Sequence, residues 1–346
     1  MRWWHWIAGA ALTLAVGWAG PAGAASDKVY VADEGANTVS VIEARMFTRF
    51  AIVPVGRDPH NIQVSPDGKL AWVTNNGEER KEWEQEHKGM PRREHAAMGN
   101  PGEVWAIDTA TDKVVARVKV GLHPAHVVLE PDGRFAYVTN GGESTVSVVD
   151  TLARRLVATI PVGASPHGIR ISPDGKEAYV ANLKGGTVSV IDTEARREVA
   201  RIAAGKGPAQ VGFTPDGRLA FASLSQEDQV AVIDPATRQV IRKVRVGTVP
   251  IQVHPTPDSR LLFVANQGTK KSPGTTVSVI DLATFGVVKT VETGPGAHGV
   301  TVSGDGRYAY VTNTYANSVS VIEVKDLKVV ATIPVGRGPN GISVTP

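Results

Sequence analysis

The sequence predicts an all-β fold, a seven-bladed β-propeller built from four-stranded antiparallel blades. The first observation is a repeat. The segments 122–163, 164–205 and 206–247 carry the same pattern, with 42 residues each and no gap between them. The second observation is that each segment contains short runs rich in Val and Ile, separated by turn residues, as strands in a packed sheet require. A period of about 40 residues with several strands per repeat is typical of a propeller blade.

The frame of the repeat is clearest where two copies are compared. Pro166–Asn182 reads PHGIRISPDGKEAYVAN, and Pro59–Asn75 reads PHNIQVSPDGKLAWVTN. The Pro-Asp-Gly step predicts a turn, because proline presets φ and glycine accepts the conformation that ends the turn. The same frame is expected to return at Pro124, Pro208, Pro250 and Pro295. Within the unit 164–205, strands are predicted over His167–Ser172, Glu177–Ala181, Thr187–Asp192 and Glu198–Ala203.

The number of blades follows from the two ends of the repeat. Six full units run from Arg57 to Gly336. Residues 28–56 lack a first strand, and residues 337–346 supply a lone first strand, so together they predict one composite blade. Seven blades then form a single domain over residues 25–346, whose ring is closed by pairing of the terminal segments. A ring of six or eight blades would leave these fragments unused.

Residues 1–24 have the pattern of a secretory signal peptide. Arg2 precedes an apolar stretch (Ile7–Gly17), and the small residues Ala22–Ala24 form a cleavage site. We expect cleavage near Ala24 and a periplasmic or secreted protein. The apolar stretch is too short for a convincing membrane span. No second long apolar segment follows it, so no span is expected after cleavage.

Composition excludes several classes of site. The chain contains no cysteine, which excludes disulfides, thiolate metal sites, iron–sulfur clusters and covalently attached c-type haem. The formal net charge of +3 is spread along the sequence without a basic block, so we expect no nucleic-acid partner. We expect a monomer whose stability comes from packing alone.

Two short motifs resemble a known family. Tyr137–Asn140 and Tyr310–Asn313 both read YVTN, and Thr145–Asp150 reads TVSVVD, with variants in the other units. Essentially the whole chain after the signal peptide resembles the YVTN-repeat propellers, such as the YncE-type periplasmic proteins. The resemblance implies a secreted seven-bladed propeller. It implies no particular reaction, because the signature residues are structural.

The histidines are concentrated on one face of the predicted propeller. Antiparallel order places the connections between fourth and first strands at the same face as the loops between second and third strands. Four histidines lie close to the start of a first strand, and first strands line the channel of a propeller. The same region of other units carries amides. We therefore predict a polar ring at one channel mouth that binds a ligand through His60, Asn61, His126, His167, Gln210, Gln252, His298 and Asn340.

An insert on the same face distinguishes the first unit. Its loop between the second and third strands runs over residues 76–102, whereas the second unit needs four residues there. The insert is strongly charged and contains the pattern His-x-x-Met twice. We expect a small ligand or a periplasmic protein partner to bind at this insert and at the channel face. A smaller extension over residues 267–275 decorates the fifth unit on the same face.

These histidines allow two interpretations. Imidazole and thioether groups suit copper, and imidazole also suits zinc. One interpretation is therefore a copper or zinc site, formed by His60, His126, His167 and His298, or within the insert by His87, Met90, His95 and Met98. The other is structural: Pro-His-Gly is a turn preference of the repeat, and the insert is a solvated charged loop.

The sequence leaves two functions open. The first is a non-enzymatic periplasmic binding or scaffold protein that recognises a ligand, a metal or a protein partner. The second is a copper- or zinc-binding metalloprotein, accessory to periplasmic redox metabolism or metal handling. A hydrolase or lyase ranks last because no acid–base pair stands out. Propellers that hold d1 haem share the architecture, and the ring can offer an axial histidine, but nothing in the sequence selects a haem.

Overall fold

The computed structural model describes residues 27–76 and 101–346. Within these residues, seven four-stranded antiparallel sheets form a β-propeller, which confirms the predicted fold. A short 3-10 helix (Glu34–Ala36) follows the first strand. The predicted signal peptide and nearly all of the predicted insert lie outside the described residues. Over the described ranges, no helix is long and apolar enough to cross a membrane.

Six blades are continuous in the sequence. Blade 1 contains β4 (Pro59–Val64), β5 (Leu70–Asn75), β6 (Glu103–Asp108) and β7 (Lys113–Lys119). Blade 2 contains β8 (Pro124–Leu129), β9 (Phe135–Asn140), β10 (Thr145–Asp150) and β11 (Arg155–Pro161). Blade 3 contains β12 (Pro166–Ile171), β13 (Glu177–Asn182), β14 (Thr187–Asp192) and β15 (Arg197–Ala203).

The next three blades repeat this order. Blade 4 contains β16 (Pro208–Phe213), β17 (Ala220–Leu224), β18 (Gln229–Asp234) and β19 (Gln239–Arg245). Blade 5 contains β20 (Pro250–Pro255), β21 (Leu261–Gly268), β22 (Pro273–Asp281) and β23 (Gly286–Glu292). Blade 6 contains β24 (Ala297–Val302), β25 (Tyr308–Asn313), β26 (Ser318–Glu323) and β27 (Lys328–Pro334).

The seventh blade is composite and closes the ring as predicted. It contains β28 (Pro339–Val344), β1 (Lys28–Asp33), β2 (Thr38–Glu43) and β3 (Thr48–Pro54). The last strand of the chain pairs antiparallel with the first, with Val29 opposite Val344 and Val31 opposite Ile342. This pairing satisfies the backbone groups at two sheet edges that would otherwise stay open.

The core lies between the blades. The second strand of each blade carries one aromatic side chain that is fully buried, which explains the aromatic residue of the signature. These residues are Tyr30, Trp72, Tyr137, Tyr179, Phe221, Phe263 and Tyr310. Tyr137 of blade 2, for example, belongs to the same buried cluster as Ile169 and Val180 of blade 3. Each such side chain buries a large apolar area and locks one blade onto the next.

The signature asparagine at the end of the second strand holds the start of the third. In blade 2, Asn140 Nδ2 donates to the hydroxyls of Thr145 and Ser147 at 2.9 Å each. The same pair of bonds recurs at Asn182, Asn266 and Asn313. The composite blade carries Asp33 at this position, and its carboxyl group is completely buried.

Two details differ from the prediction, and the predicted extension in blade 5 takes a defined form. In blade 3, three of the four strands begin or end one residue from their predicted limits. In blade 6, Ala297 rather than Pro295 takes the first position of the frame, because Ala297 pairs with Asn313 as Pro59 pairs with Asn75. The extension over residues 267–275 is a continuation of the hairpin of β21 and β22, in which Gly268 pairs with Pro273.

Candidate metal centre

The predicted site residues lie at a bulge that recurs in the first strands. In blade 1, the ladder pairs Pro59 and Ile62 with the second strand and skips His60 and Asn61. The first strands of the other continuous blades skip the same two positions. Bulges re-aim side chains that would otherwise follow the strand. Adjacent first strands also pack against one another, so these re-aimed side chains meet around the channel.

The signature threonine holds this bulge in place. In blade 2, the Thr139 hydroxyl accepts from the backbone N–H of His126 at 2.9 Å and donates to the carbonyl of His167 in blade 3 at 2.6 Å. Thr74, Ser223 and Thr312 make the equivalent two bonds in blades 1, 4 and 6. One hydroxyl thus replaces the missing ladder bond and fixes the spacing of two neighbouring channel strands.

Thr139→Val is expected to lower the free energy of unfolding by about 2 kcal/mol, because it leaves a buried N–H and a buried carbonyl without partners. The measurement is urea unfolding at pH 7. Thr237→Val, which removes an exposed hydroxyl that donates to Asp234, is the control and should change stability by less than about 0.5 kcal/mol. Equal effects of the two substitutions would contradict the role assigned to Thr139.

Three histidines from adjacent blades converge at the channel mouth. His60, His126 and His167 each offer one ring nitrogen, and these nitrogens lie within 4.8 Å of one another. His60 Nε2 and His167 Nε2 are only 3.1 Å apart. Metal–imidazole bonds of about 2.0–2.1 Å place two ligand nitrogens about 3.3 Å apart in a tetrahedral site. The closest pair already has this spacing.

Hydrogen bonding directs ring nitrogens toward the centre of the cluster, where His60 Nε2 and His167 Nε2 lie within hydrogen-bond distance of each other. His167 Nδ1 lies 2.8 Å from the Ala209 carbonyl, so it carries the proton of the neutral ring and leaves a lone pair on Nε2. His126 is 0% exposed, and neither of its ring nitrogens has a hydrogen-bond partner among the described residues. Such orphaned buried nitrogens are costly unless a ligand binds them.

Burial keeps these imidazoles neutral. It lowers the pKa of His126 well below the usual value, and the neighbouring His167 and His60 add to the effect. Burial and then His60 lower the pKa of His167 to about 4, although the bond to the Ala209 carbonyl acts in the opposite direction. Burial likewise lowers the pKa of His298 to about 3. Neutral imidazole is the form that binds metals.

Glu34 is a site residue that the sequence does not single out. Its Oε2 lies 3.6 Å from His60 Nδ1 and accepts from Asn340 Nδ2 at 2.5 Å. Burial tends to raise the pKa of Glu34, but bonds and charge from His60, with the Asn340 amide, outweigh it and lower the pKa to about 2. One signal was available: Glu34 directly follows the end of a second strand, where blade 2 has Gly141 on the same face.

The remaining predicted residues take other roles. Asn61 Oδ1 and Gln252 Oε1 each accept from the backbone of the next first strand at 3.3 Å, at Val127 and Val300. Gln210 Oε1 accepts from the neighbouring Val211 N–H at 3.1 Å. These amides are structural cross-links or local bonds. His126 occupies the same strand position as these three amides and makes no such bond.

One predicted ligand lies apart from the cluster, and four others fall outside the described residues. His298 shares the strand position of His60 and His167, but its ring centroid is 6.3 Å from that of His60, and it is not one of the three converging histidines. His87, Met90, His95 and Met98 lie outside the described residues. The arrangement as described therefore brings three ring nitrogens together beside one carboxylate, a donor set that attracts a single cation.

Several solved structures are similar to this propeller over most of its length. The hydrazine synthase of Kuenenia stuttgartiensis has a similar structure, with a TM-score of 0.70 and 26% identity over 84% of this chain and 92% of that chain. The dihydro-heme d1 dehydrogenase NirN, solved in complex with DHE, is similar with a TM-score of 0.65 and 18% identity, over 91% of this chain and 74% of that chain. The periplasmic gluconolactonase PpgL of Pseudomonas aeruginosa has a TM-score of 0.69 at 18% identity, over 92% and 99%.

Sequence comparison is more specific than fold. A curated relative, Antigen Lp49 of Leptospira interrogans, is 27% identical over 118 residues, or 34% of this chain. The match spans only 24% of that relative's length. The model of the cytochrome D1 heme domain family matches residues 97–220 and 221–341, which is more than half of the chain. The protein with this histidine-lined propeller channel therefore belongs to the cytochrome D1 heme domain family.

Proposed function

We propose that the protein is a periplasmic binding propeller that holds one transition-metal ion, copper or zinc, at the channel mouth through His60, His126 and His167. The observation that carries the proposal is the convergence of three ring nitrogens within 4.8 Å. Imidazole suits both ions. The Glu34 carboxylate lies 3.6 Å from His60 Nδ1 on the outer side of the cluster, where a carboxylate commonly accepts from a metal-bound histidine.

The convergence is not explained by the repeat alone. At the strand position of His126, Asn61 and Gln252 each accept a hydrogen bond from a backbone N–H of the next blade. A histidine with a purely structural role in the repeat would be expected to make the same bond. Among the residues that the structure describes, His126 makes no such bond, and both of its buried ring nitrogens lack a hydrogen-bond partner. A metal ion that binds one of these nitrogens would remove part of that cost.

A d1 haem, which the family name implies, does not fit the histidine cluster. An axial imidazole needs free space around its metal-binding nitrogen, because the flat macrocycle extends on all sides of the iron. Here His60 Nε2 and His167 Nε2 face each other at 3.1 Å, and the ring centroids of His126 and His167 are 4.8 Å apart. A tetrapyrrole centred on any of these nitrogens would overlap the other two rings, whereas a single ion would not.

The proposed partner-binding role uses the propeller face that carries the histidine cluster. We propose that the metal-loaded channel mouth and the insert 76–102 together bind a small ligand or a periplasmic protein partner, in metal handling or as an accessory to redox metabolism. The signature motifs support a relationship to the YncE-type YVTN-repeat proteins. The enzymes among the similar structures lend no reaction to this chain, because likeness of this kind shows the propeller fold alone.

The test is metal retention by the full chain. Protein stripped with chelator, loaded with Cu(II) or Zn(II) and desalted is expected to keep about one ion, because three imidazoles and a nearby carboxylate form a chelating set. His126→Gln should lose this ion, and Glu34→Gln should weaken its binding by about 10-fold. Elemental analysis and a competition titration provide the two measurements.

Matched variants make the result unambiguous. Gln already occupies the His126 position in blades 4 and 5, so His126→Gln should fold. His123→Gln alters an exposed histidine in the connection just before β8 and should keep the ion. Retention of the ion by His126→Gln, with its loss in a variant lacking His87 and His95, would reject the channel site and assign the metal to the insert.

A further inference from the structure

A cavity opens at the end of the channel away from the histidine cluster. It has a volume of about 360 Å³ and is lined by the ends of the first strands of blades 3, 4, 5 and 6 and by the turns that follow them. Pro173, Pro215 and Pro257 of these turns form its rim, and Phe213 and Val302 contribute apolar wall. The cavity therefore lies at the face opposite the converging histidines.

Among the described residues that line this cavity, Arg170 alone has a strongly basic side chain. Its Nη1 donates to the backbone carbonyl of the adjacent Ile169 at 3.0 Å. In the part of the chain that the structure describes, no carboxylate lies within 4.0 Å of the guanidinium. Burial lowers the pKa of Arg170 to about 10, so the group is still charged at pH 7. Arg170 is partly buried, and a partly buried cation without a counter-charge favours an anion nearby.

The surroundings of Arg170 limit the charge and size of that anion. Arg170, Gly212 and His254 occupy equivalent positions in consecutive first strands. Gly212 contributes no side chain at this position, so Arg170 and His254 supply the polar side chains there. Burial, and then the positive charge of Arg170, lower the pKa of His254 to about 4, so the imidazole is neutral. The lining residues include no Asp or Glu, which leaves a net charge of one.

We propose that this cavity binds a small organic monocarboxylate, whose carboxylate pairs with the Arg170 guanidinium and whose apolar body lies against Phe213 and Val302. The planar guanidinium matches a carboxylate with two parallel hydrogen bonds. A single cation balances a single negative charge. The apolar walls and the volume of about 360 Å³ suit a body of several carbon atoms, which an inorganic anion does not have.

The test uses benzoate as the probe and metal-free full chain, so that a metal at the other mouth contributes nothing. Isothermal titration at pH 7.5 and constant ionic strength should show one benzoate per chain, because there is one guanidinium to pair with it. Arg170→Gln should weaken binding at least 10-fold, a typical consequence of losing a charged partner. Arg170→Lys should bind with intermediate affinity because it keeps the charge and loses the planar fork.

Controls separate this site from general effects and from the metal site. Arg218→Gln, an exposed arginine paired with Asp216, should leave benzoate binding unchanged, and Arg170→Gln should keep its copper or zinc. Equal benzoate affinity in wild type and Arg170→Gln, or no binding by wild type, would overturn the proposal. Tighter binding of inorganic phosphate than of benzoate would also overturn it, because the apolar walls would then have no role.

Discussion

The metal-free protein is expected to lose stability steeply as the pH falls from 7 to 4. In the folded chain, burial and the neighbouring histidines place the pKa of His126 well below 6.5, and burial and then His60 place that of His167 at about 4. In the unfolded chain these imidazoles protonate near pH 6.5. The unfolded state then binds more protons below that pH, so stability is complete above about 6.5 and falls as the pH drops.

The size of this effect can be stated for one residue. A pKa lowered from 6.5 to about 4 at His167 corresponds to a loss of about 3 kcal/mol between pH 7 and pH 4. Urea unfolding at pH 7, 6, 5 and 4 measures it. The variant His126→Gln removes one buried titrating group and eases the crowding of His167, so its profile should be clearly flatter than that of wild type.

The acid sensitivity of carboxylates is common to all variants and cancels in this comparison. His123→Gln serves as the control, because it removes a histidine that is exposed on the same face. Its profile should follow that of wild type. If the profile of His126→Gln were parallel to that of wild type over the whole range, the buried imidazoles would not be the origin of the acid sensitivity.

The fold was predictable because each repeat signals the same structure independently. The turn motifs, the Val- and Ile-rich strand segments and the buried aromatic residue recur at the same positions of each unit. An error in assigning one unit therefore does not change the predicted number of blades. The one misplaced frame, at Pro295, shows the limit of this approach. Proline marks the start of the frame in the other units, but in blade 6 the backbone pairing begins at Ala297.

The candidate site was predictable in outline and not in detail. The sequence places His60, His126 and His167 on first strands at one face, and the structure brings them together. The sequence does not show that a bulge sets side-chain direction at two adjacent positions. For that reason, sequence alone cannot tell that His126 joins the cluster and that His298 does not. Glu34 comes from the composite blade, so its contact with His60 depends on ring closure rather than on local pattern.

The cavity that contains Arg170 was not predictable, because the residues at this strand position do not recur from blade to blade. The strand position shared by Arg170 and His254 carries Gln63, Val128, Gly212, Thr301 and Ser343 in the other blades. A position with no consensus gives no signal within a single sequence. Only the closed ring shows that these unlike side chains face one channel.

Asp33→Asn is expected to stabilise the protein at pH 8 by about 2 kcal/mol and to have no effect near pH 4. Asp33 Oδ2 accepts from the hydroxyls of Thr38 and Ser40 at 3.0 and 2.7 Å, while Oδ1 has no partner among the described residues. Burial raises the pKa of Asp33 to about 6, although the bonds from Ser40 and Thr38 act in the opposite direction. Between about pH 4 and 6, the folded state therefore binds more protons than the unfolded state, and stability falls as the pH rises.

The asparagine amide can make the bonds of the other blades without a buried charge, since Asn140 Nδ2 donates to the equivalent pair of hydroxyls. The reciprocal control is Asn140→Asp in blade 2, which should destabilise the protein at pH 8 and recover most of the loss at pH 5. Urea unfolding of wild type and both variants at pH 5 and 8 is the measurement.

A gain in stability of Asp33→Asn that is the same at both pH values would show that packing, and not the buried carboxylate, separates the composite blade from the others. A gain confined to pH 8 would identify ring closure as the place where this propeller retains an unfavourable charge. That charge lies one residue before Glu34, whose carboxylate contacts His60, so the strand end that closes the ring also holds one side of the histidine cluster.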